Sequence, residues 1–385
     1  MKNVLEYLEN ISNDNKVIDK NGSITYKDLQ VVSKKIGSGL AKYVKNNDPV
    51  PVYMEKGISC LEVFMGSLYA GGFYSLLNAG LPKMRLEQII SVLDVDYVVT
   101  DKEHLENAKE FFPDKELILY EDLVDSEIDD ELLSNIRARK LDVDPVYANF
   151  TSGSTGVPKG VVVGNRSIID FIDNFTSTFG INETDIIANQ APFDFDVSVK
   201  DIYPALKTGA TLVIVPKELF SRPAELIDFL VEHKVTTMTW AVSALCLIST
   251  FHGLDYKVPE TVKRVMFSGE VMPMKHLKEW MKHLPNATFV NLYGPTEITC
   301  NCTYHIIDRN REYEKIPVGI PFNNEDVFLL DENNKLVESG GIKGEICVRG
   351  SALALGYYKN KEQTDRAFVR NPLNDTVSYT HLRAH

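Results

Sequence analysis

The sequence lacks a surplus of positive charge. Its 41 Lys+Arg face 54 Asp+Glu, which gives a formal net charge of −13 at pH 7. Non-specific nucleic-acid binding is therefore not expected, because few cations are available to displace counterions from phosphates. The first ten residues, MKNVLEYLEN, include acidic residues and no apolar core of signal-peptide length, so we expect a cytoplasmic protein.

The sequence also lacks a strongly apolar run of membrane-spanning length. Residues 63–82 carry no charge, but four glycines and several polar residues interrupt them, so the stretch is only weakly apolar. We therefore predict a buried helix that turns at Gly71 and Gly72 into a buried strand, and no membrane insertion.

Cysteine is scarce and follows no ligand pattern. The five cysteines are an odd number, and no two of them form a C-x-x-C motif. They are Cys60, Cys246, Cys300, Cys302 and Cys347. The pattern predicts reduced thiols rather than a disulfide framework or a zinc site.

The remaining composition, 44% hydrophobic and 25% charged, is typical of a globular protein, and 385 residues suffice for two or three domains. Short β-branched runs alternate with amphipathic stretches such as residues 25–45, which show helical periodicity. This alternation predicts an α/β fold with parallel sheets flanked by helices, divided into two related sheet subdomains, over residues 1–300. Short strands and turns predict a β-rich subdomain over residues 301–376. The tail, residues 377–385, shows no helix, cap or strand pattern.

A loop rich in glycine and hydroxyl groups carries the strongest signal for chemistry. Residues 147–160, YANFTSGSTGVPKG, form a predicted strand followed by three glycines, four hydroxyls and Lys159. Backbone amides, hydroxyls and a lysine suit a polyphosphate, so we expect this loop to bind one. A solvated hairpin turn would explain the glycines but not the hydroxyls or Lys159. Pro158 and Gly160 flank the lysine, so this is not a G-x-x-x-x-G-K-[ST] loop.

This loop resembles the signature of the adenylate-forming enzymes, which comprise acyl-CoA synthetases, nonribosomal peptide synthetase adenylation domains and luciferases. Further motifs follow in the family's order and extend the resemblance over about residues 20–370. They are 23–29 (SITYKDL), 68–77 (LYAGGFYSLL), 195–198 (FDVS), 291–297 (NLYGPTE), 344–350 (GEICVRG) and 356–358 (GYY).

Within this superfamily, segments 193–203 and 267–273 are most similar to the free-standing D-alanine:carrier-protein ligases. The resemblance implies ATP-dependent formation of an aminoacyl-adenylate, with D-alanine as the best guess, and transfer to the phosphopantetheine thiol of a carrier protein. Other small or polar amino acids remain alternatives, as do coenzyme A thioesters of non-amino acids. A non-catalytic nucleotide-binding module is a further alternative.

Two departures from the ligase pattern stand out. Ser268 occupies a position where that family usually has cysteine, which leaves the selectivity for D-alanine open. The expected Y-x-T-G-D motif is replaced by YTHLR at residues 379–383. We therefore expect a truncated chain without the C-terminal lid domain and its catalytic lysine, and with impaired activity.

The resemblance also implies roles for the nucleotide-binding residues. Lys159 and Glu297 would be catalytic. Glu297 would also be the Mg²⁺ ligand, a role that suits its hard oxygen donors. The alternative is that Glu297 is a surface glutamate after a turn. The expected ATP-binding residues are Thr151, Ser152, Gly153, Ser154, Thr155, Gly156, Lys159, Asn291, Leu292, Tyr293, Gly294, Pro295 and Thr296.

Asp196 is the expected anchor for the α-amino group of the substrate. It lies between Phe195 and Val197, where a carboxylate is costly unless a cation pairs with it; a salt bridge to Lys200 is the alternative, and Asp194 could be a decoy. The substrate pocket implied by the resemblance comprises Asp196, Val197, Lys200, Thr239, Met266, Ser268, Leu292, Cys300 and Asn301. Met266 and Leu292 favour a small side chain, whereas Lys200, Thr239 and Asn301 favour an acidic or amide side chain. The sequence leaves these alternatives open.

Overall fold

The computed structural model describes residues 1–151 and 158–371, together with the backbone of residues 380–384. The strands of these residues are β1 (Lys16–Asp19), β2 (Gly22–Thr25), β3 (Pro49–Tyr53), β4 (Phe73–Leu76), β5 (Tyr97–Thr100), β6 (Glu116–Leu119), β7 (Pro145–Thr151), β8 (Lys159–Gly164), β9 (Ile186–Asn189), β10 (Thr211–Ile214), β11 (Thr237–Ala241), β12 (Arg264–Ser268), β13 (Thr288–Tyr293), β14 (Thr303–Ile306), β15 (Ile320–Pro321), β16 (Glu325–Leu330), β17 (Glu345–Gly350), β18 (Gly356–Tyr357), β19 (Phe368–Arg370) and β20 (Thr380–Ala384). The α-helices are α1 (Leu5–Glu9), α2 (Tyr26–Leu40), α3 (Ile58–Tyr69), α4 (Lys83–Leu93), α5 (Leu105–Phe111), α6 (Tyr120–Val124), α7 (Asp130–Ala138), α8 (Asn165–Phe179), α9 (Val199–Thr208), α10 (Pro223–Glu232), α11 (Val242–Thr250), α12 (Gly253–Tyr256), α13 (Met274–His283) and α14 (Lys361–Ala367). Three short 3₁₀ helices cover Asp196–Ser198, Lys217–Ser221 and Thr296–Ile298.

Two large sheets form the α/β core, as the alternation of strands and helices predicts. The nine-stranded sheet has the order β15-β14-β13-β12-β11-β9-β10-β1-β2, and the pairs from β13 through β1 are parallel. The seven-stranded sheet has the order β18-β8-β7-β4-β3-β5-β6 and is parallel from β7 to β6. Parallel neighbours require helical crossovers, which cover the faces of the sheets. The predicted fold class is confirmed.

The uncharged stretch folds as the sequence predicts. Every residue of α3 from Cys60 to Tyr69 is buried, and after Gly71 and Gly72 the chain enters β4, which is also buried. The helix packs closely on α2, since a Cβ added at Gly66 would lie 2.4 Å from Cγ2 of Ile36. No helix in the described part of the chain is long and apolar enough to cross a bilayer. All five cysteines are free, as predicted.

Helix α2 is shorter than the periodic pattern over residues 25–45. It begins after Thr25, whose hydroxyl accepts a hydrogen bond from the backbone N–H of Asp28 at 3.1 Å, a standard N-terminal cap. It ends at Leu40. Beyond it, the Asp48 carboxylate accepts a hydrogen bond from the Lys45 amide, and Asn47 adopts a positive φ of 64°, so a polar turn replaces the last predicted helical turn.

The third sheet is antiparallel and has the order β16-β17-β20-β19. Strands β14 and β15 extend the nine-stranded sheet, and β18 joins the seven-stranded one. Strands from both sides of residue 300 thus share each of the two large sheets, and the predicted division there stays a prediction. The expectation that the tail forms no strand is wrong: β20 pairs with β17 and β19. Backbone groups on two facing strand edges provide this pairing, which depends little on the sequence of the inserted strand.

Candidate active site

The predicted pocket residues of the nine-stranded sheet share one face. Thr239 lies opposite Met266 in the parallel register of β11 and β12, and Ser268 follows Met266 by two residues. Met266 and Leu292 belong to one buried apolar cluster, whereas Phe267 belongs to the cluster on the other face. Because side chains alternate along a strand, the predicted pocket residues of these strands line the same side of the sheet, near its carboxyl edge.

Lys200 is fully buried and points into this region. Its Nζ donates hydrogen bonds to Oγ of Ser268 at 3.0 Å and to Oδ1 of Asn301 at 2.6 Å. The structure thus brings together three predicted pocket residues from α9, the end of β12 and the segment before β14. Lys200 therefore points into the predicted substrate pocket.

Asp196 opens the 3₁₀ helix that leads into α9. Burial raises the pKa of its carboxyl group, while a hydrogen bond from Thr296 and the charge of Lys200 lower it. Within the described residues no ion pair of 4.0 Å or less joins Asp196 to Lys200, so the salt-bridge alternative does not describe this geometry. The Cys300 thiol lies 3.3 Å from the carbonyl oxygen of Asp196 and donates to it. Val197 follows Asp196 in the same turn and is half-buried.

Asp194 has a different environment from Asp196. Its carboxylate accepts a hydrogen bond from Nδ2 of Asn78 at 2.9 Å, outside the set of predicted pocket residues. Burial raises the pKa of Asp194 as well. Asp194 therefore offers a matched comparison for Asp196, with similar chemistry and separate contacts.

The glycine- and hydroxyl-rich loop joins the two strands of an antiparallel hairpin. Thr151 at the end of β7 pairs with Lys159 at the start of β8. The predicted residues between them lie outside the described residues: Ser152, Gly153, Ser154, Thr155 and Gly156. The backbone carbonyl of Thr151 accepts a hydrogen bond from Nη2 of Arg85 at 3.1 Å. Sequence reasoning did not single out Arg85, which lies outside every motif.

Tyr357 connects the two predicted catalytic side chains. Nζ of Lys159 lies 5.2 Å from the centroid of the Tyr357 ring, and the Tyr357 hydroxyl donates a 2.6 Å hydrogen bond to Oε1 of Glu297. Burial raises the pKa of Tyr357, followed by the effect of the Glu297 carboxylate, so the hydroxyl stays protonated and remains a donor. The sequence predictions did not name Tyr357, although the 356–358 motif that contains it was the available signal.

The segment 291–297 forms the end of β13 and the turn after it. Nδ2 of Asn291 donates to the carbonyl oxygen of Pro317 at 2.9 Å, and alternation along β13 places Asn291 and Tyr293 on the face opposite Leu292. Leu292, predicted in both the nucleotide and the substrate sets, therefore shares the face of the substrate residues. Tyr293 is half-buried, and burial raises the pKa of its hydroxyl.

The turn after β13 is tightly packed against the following segment. A Cβ at Gly294 would lie 2.5 Å from Cα of Asn301, so only glycine allows this approach. Pro295 precedes the 3₁₀ helix of Thr296–Ile298, and Thr299 then adopts a φ of 64°, which is unusual for a β-branched residue. The strained turn thus brings Asn301 back against Gly294.

Thr296 joins the two halves of the site. Its side chain lowers the pKa of the Asp196 carboxyl group, and its neighbour in the chain, Glu297, accepts the hydrogen bond from Tyr357. The predicted substrate anchor and the predicted phosphate-side residues are thus adjacent. An acid group bound between them would lie next to a cation, a carboxylate and a hydroxyl.

Comparisons with known proteins place this geometry in a family. A family model described as AMP-binding enzyme matches residues 8–358. A D-alanine–D-alanyl carrier protein ligase of Bacillus velezensis is 33% identical over 368 residues, which cover 93% of this chain and 70% of that protein. Tyrocidine synthase 3 of Brevibacillus parabrevis is 28% identical over 363 residues, which cover 92% of this chain and 5% of that protein.

Solved structures share the fold. The nonribosomal peptide synthetase FmoA3 superposes with a TM-score of 0.88 at 24% identity, over 99% of this chain and 40% of that one. The N-terminal subdomain of Klebsiella oxytoca NpsA gives a TM-score of 0.81 at 19% identity, over 100% of this chain and 96% of that one. This chain thus spans about two fifths of the FmoA3 chain.

These matches confirm the resemblance and the enzyme class, an AMP-forming ligase, that the sequence motifs predict. The family model alone covers well over half of the chain. The chain therefore belongs to the AMP-binding enzyme family.

Proposed function

We propose that the protein activates an amino acid with ATP and transfers the aminoacyl group to the phosphopantetheine thiol of a carrier protein. The observation that carries the proposal is the position of Thr296 between the two halves of the site. Its side chain lowers the pKa of the Asp196 carboxyl group on one side, and Glu297, Tyr357 and Lys159 follow on the other. This arrangement suits a zwitterion whose ammonium group meets Asp196 and whose carboxylate faces the nucleotide.

The chemistry that this placement supports is in-line displacement at phosphorus. The carboxylate oxygen of the amino acid bonds to the α-phosphorus of ATP, the bond from that phosphorus to the bridging oxygen breaks, and pyrophosphate leaves. Asp196 fixes the ammonium end, which converts an encounter of two substrates into a pre-aligned one. Lys159 offsets charge that moves toward the leaving pyrophosphate. The thiol of the carrier then displaces AMP from the acyl carbon.

Magnesium fits the residues on the phosphate side. Mg²⁺ is commonly held by one or two carboxylates together with substrate phosphates, and Glu297 supplies a carboxylate with one oxygen already oriented by Tyr357. When bound, the ion would neutralise phosphate charge. Use of ATP is supported by the family description and by an FmoA3 structure with bound AMPPNP.

The choice of amino acid and carrier rests first on relatives. Several relatives are D-alanine–D-alanyl carrier protein ligases, which makes D-alanine the first substrate to test and a carrier protein the expected partner. Met266 and Leu292 are both fully buried on the pocket face and would favour so small a side chain. Lys200 instead favours a larger substrate side chain that carries a negative charge.

The test is amino-acid-dependent exchange of radiolabelled pyrophosphate into ATP, measured with a version of the chain that carries a C-terminal lid domain, because the sequence predicts impaired activity without one. We expect exchange with at least one α-amino acid from a panel of D- and L-enantiomers and none with acetate or fatty acids. Activity with fatty acids would favour the coenzyme A alternative, because that reaction needs no partner for Asp196. Calorimetric binding of ATP with no exchange for any acid would contradict the proposal and favour a nucleotide-binding module.

A further inference from the structure

Lys200 is a buried cation whose hydrogen-bond partners are neutral. The side chain is 0% exposed, and its two partners are a hydroxyl and an amide oxygen, from Ser268 and Asn301. An ammonium group has three N–H donors, so two bonds leave one donor. Buried charges in proteins are almost always paired with an opposite charge, and Lys200 has no carboxylate within 4.0 Å among the described residues.

Two carboxylates lie farther from the ammonium group, and neither suffices as its counter-charge once substrate is bound. Asp196 would then be engaged with the α-ammonium group of the amino acid. Asp201 accepts a hydrogen bond from Nδ2 of Asn189 at 2.9 Å, and burial raises its pKa to about 7, so it carries only part of a negative charge at neutral pH.

The other pocket residues cannot supply a negative charge. Thr239 and Met266 are neutral, and burial raises the pKa of the Cys300 thiol far above neutrality. An amino acid with a neutral side chain would therefore leave the positive charge of Lys200 less compensated than in the empty site, because Asp196 would pair with the incoming ammonium group. A basic side chain would add repulsion.

We propose that the amino acid activated here carries a side-chain carboxylate that pairs with Lys200, as in aspartate or glutamate. This inference rests on the proposed function and refines its substrate class. Ser268 and Asn301 hold the ammonium group in place from the sheet and from the segment before β14. The third N–H is then the donor for the substrate carboxylate, and a charge-assisted bond of this kind is stronger than a neutral one.

The experiment measures binding of stable aminoacyl-adenylate mimics to the full chain by isothermal titration calorimetry. The probes are sulfamoyl-adenosine derivatives of aspartate, asparagine, glutamate, glutamine and alanine, each as D- and L-enantiomers. We expect one acidic probe to bind at least tenfold more tightly than its isosteric amide and than alanine. In Lys200→Met that probe should lose at least tenfold in affinity, while the alanine probe changes by less than threefold.

Lys207→Met is the matched control. Lys207 lies on the same helix but forms an ion pair with Asp173 at 2.6 Å, away from the pocket residues, so its loss should leave the probe ranking unchanged. The comparison within the unmodified chain stands even if Lys200→Met fails to fold. Tight binding of the alanine probe, with no binding of any aspartate or glutamate probe, would overturn the acidic-substrate inference alone. Binding of no aminoacyl probe would overturn the amino-acid proposal as well.

Discussion

Replacing Asp196 by asparagine separates the role of its charge from that of its shape. Asparagine keeps the size of the side chain and one acceptor oxygen but removes the charge that would meet the substrate ammonium group. Loss of one partner of a buried charge pair costs about 2–5 kcal/mol. Asp196 is only half-buried, so we take about 2–3.5 kcal/mol, which corresponds to a loss of about 30- to 300-fold.

The same substitution should not destabilise the fold. Burial is the largest influence on the Asp196 carboxyl and raises its pKa, so the folded state favours the neutral form. An acid with a raised folded pKa loses stability as the pH rises from its unfolded pKa through its folded one. Asparagine mimics the neutral form, so the melting temperature at pH 7–8 should stay equal or rise, even though Lys200 loses a nearby negative charge.

The assay is pyrophosphate exchange with the amino acid as the varied substrate. We expect the fall in kcat/KM for the amino acid, with the KM for ATP changed less than threefold. Asp194→Asn is the control, because Asp194 is bonded to Asn78 instead, and it should retain activity within threefold. Equal losses in both variants, or a lower melting temperature that tracks the loss in Asp196→Asn, would refute the anchoring role.

Two further substitutions test other contacts. Tyr357→Phe keeps the ring beneath Lys159 and removes the bond to Glu297, so we expect kcat/KM for ATP to fall about tenfold, the value of roughly 1.5 kcal/mol for a bond to a charged group; Tyr358→Phe is the control, and an equal loss there would contradict the positioning role. Burial raises the pKa of Glu325 to about 8, so its ionisation destabilises the fold as the pH rises from about 4.5 to 8. Glu325→Gln should increase the free energy of unfolding by about 1–3 kcal/mol at pH 8.5 and little at pH 5 in urea titrations, and a gain independent of pH would show that reasoning to be wrong.

Much of the fold follows from periodicity that the sequence displays. The parallel strands β9 to β13 and the helices between them follow the alternation of strands and helices that the sequence predicts over residues 1–300. The exceptions depend on tertiary context. Strand β20 forms on backbone groups offered by β17 and β19, which no local pattern of residues 377–385 encodes.

The sequence predicts those residues of the candidate site that lie within a motif, but not the contacts between residues of different motifs. Lys159 and Glu297 come from separate motifs, and the structure brings one to the ring and the other to the hydroxyl of Tyr357. Arg85 reaches the carbonyl of Thr151 from α4, and only the folded chain shows that approach. Contacts between distant segments need a tertiary arrangement, which residue types alone do not specify.

The relation between Asp196 and Lys200 shows why local rules mislead here. Opposite charges four residues apart predict an ion pair on an α-helix, because four residues make slightly more than one turn. Asp196, however, lies in a 3₁₀ turn with about three residues per turn, and the α-helix begins only at Val199. The tighter winding rotates the two side chains apart around the axis. Asp196 meets Thr296, and Lys200 meets Ser268 and Asn301. The change in helix type thus keeps the two side chains from forming a direct ion pair. Under the proposed function, Asp196 would meet the substrate ammonium group and Lys200 an acidic side chain.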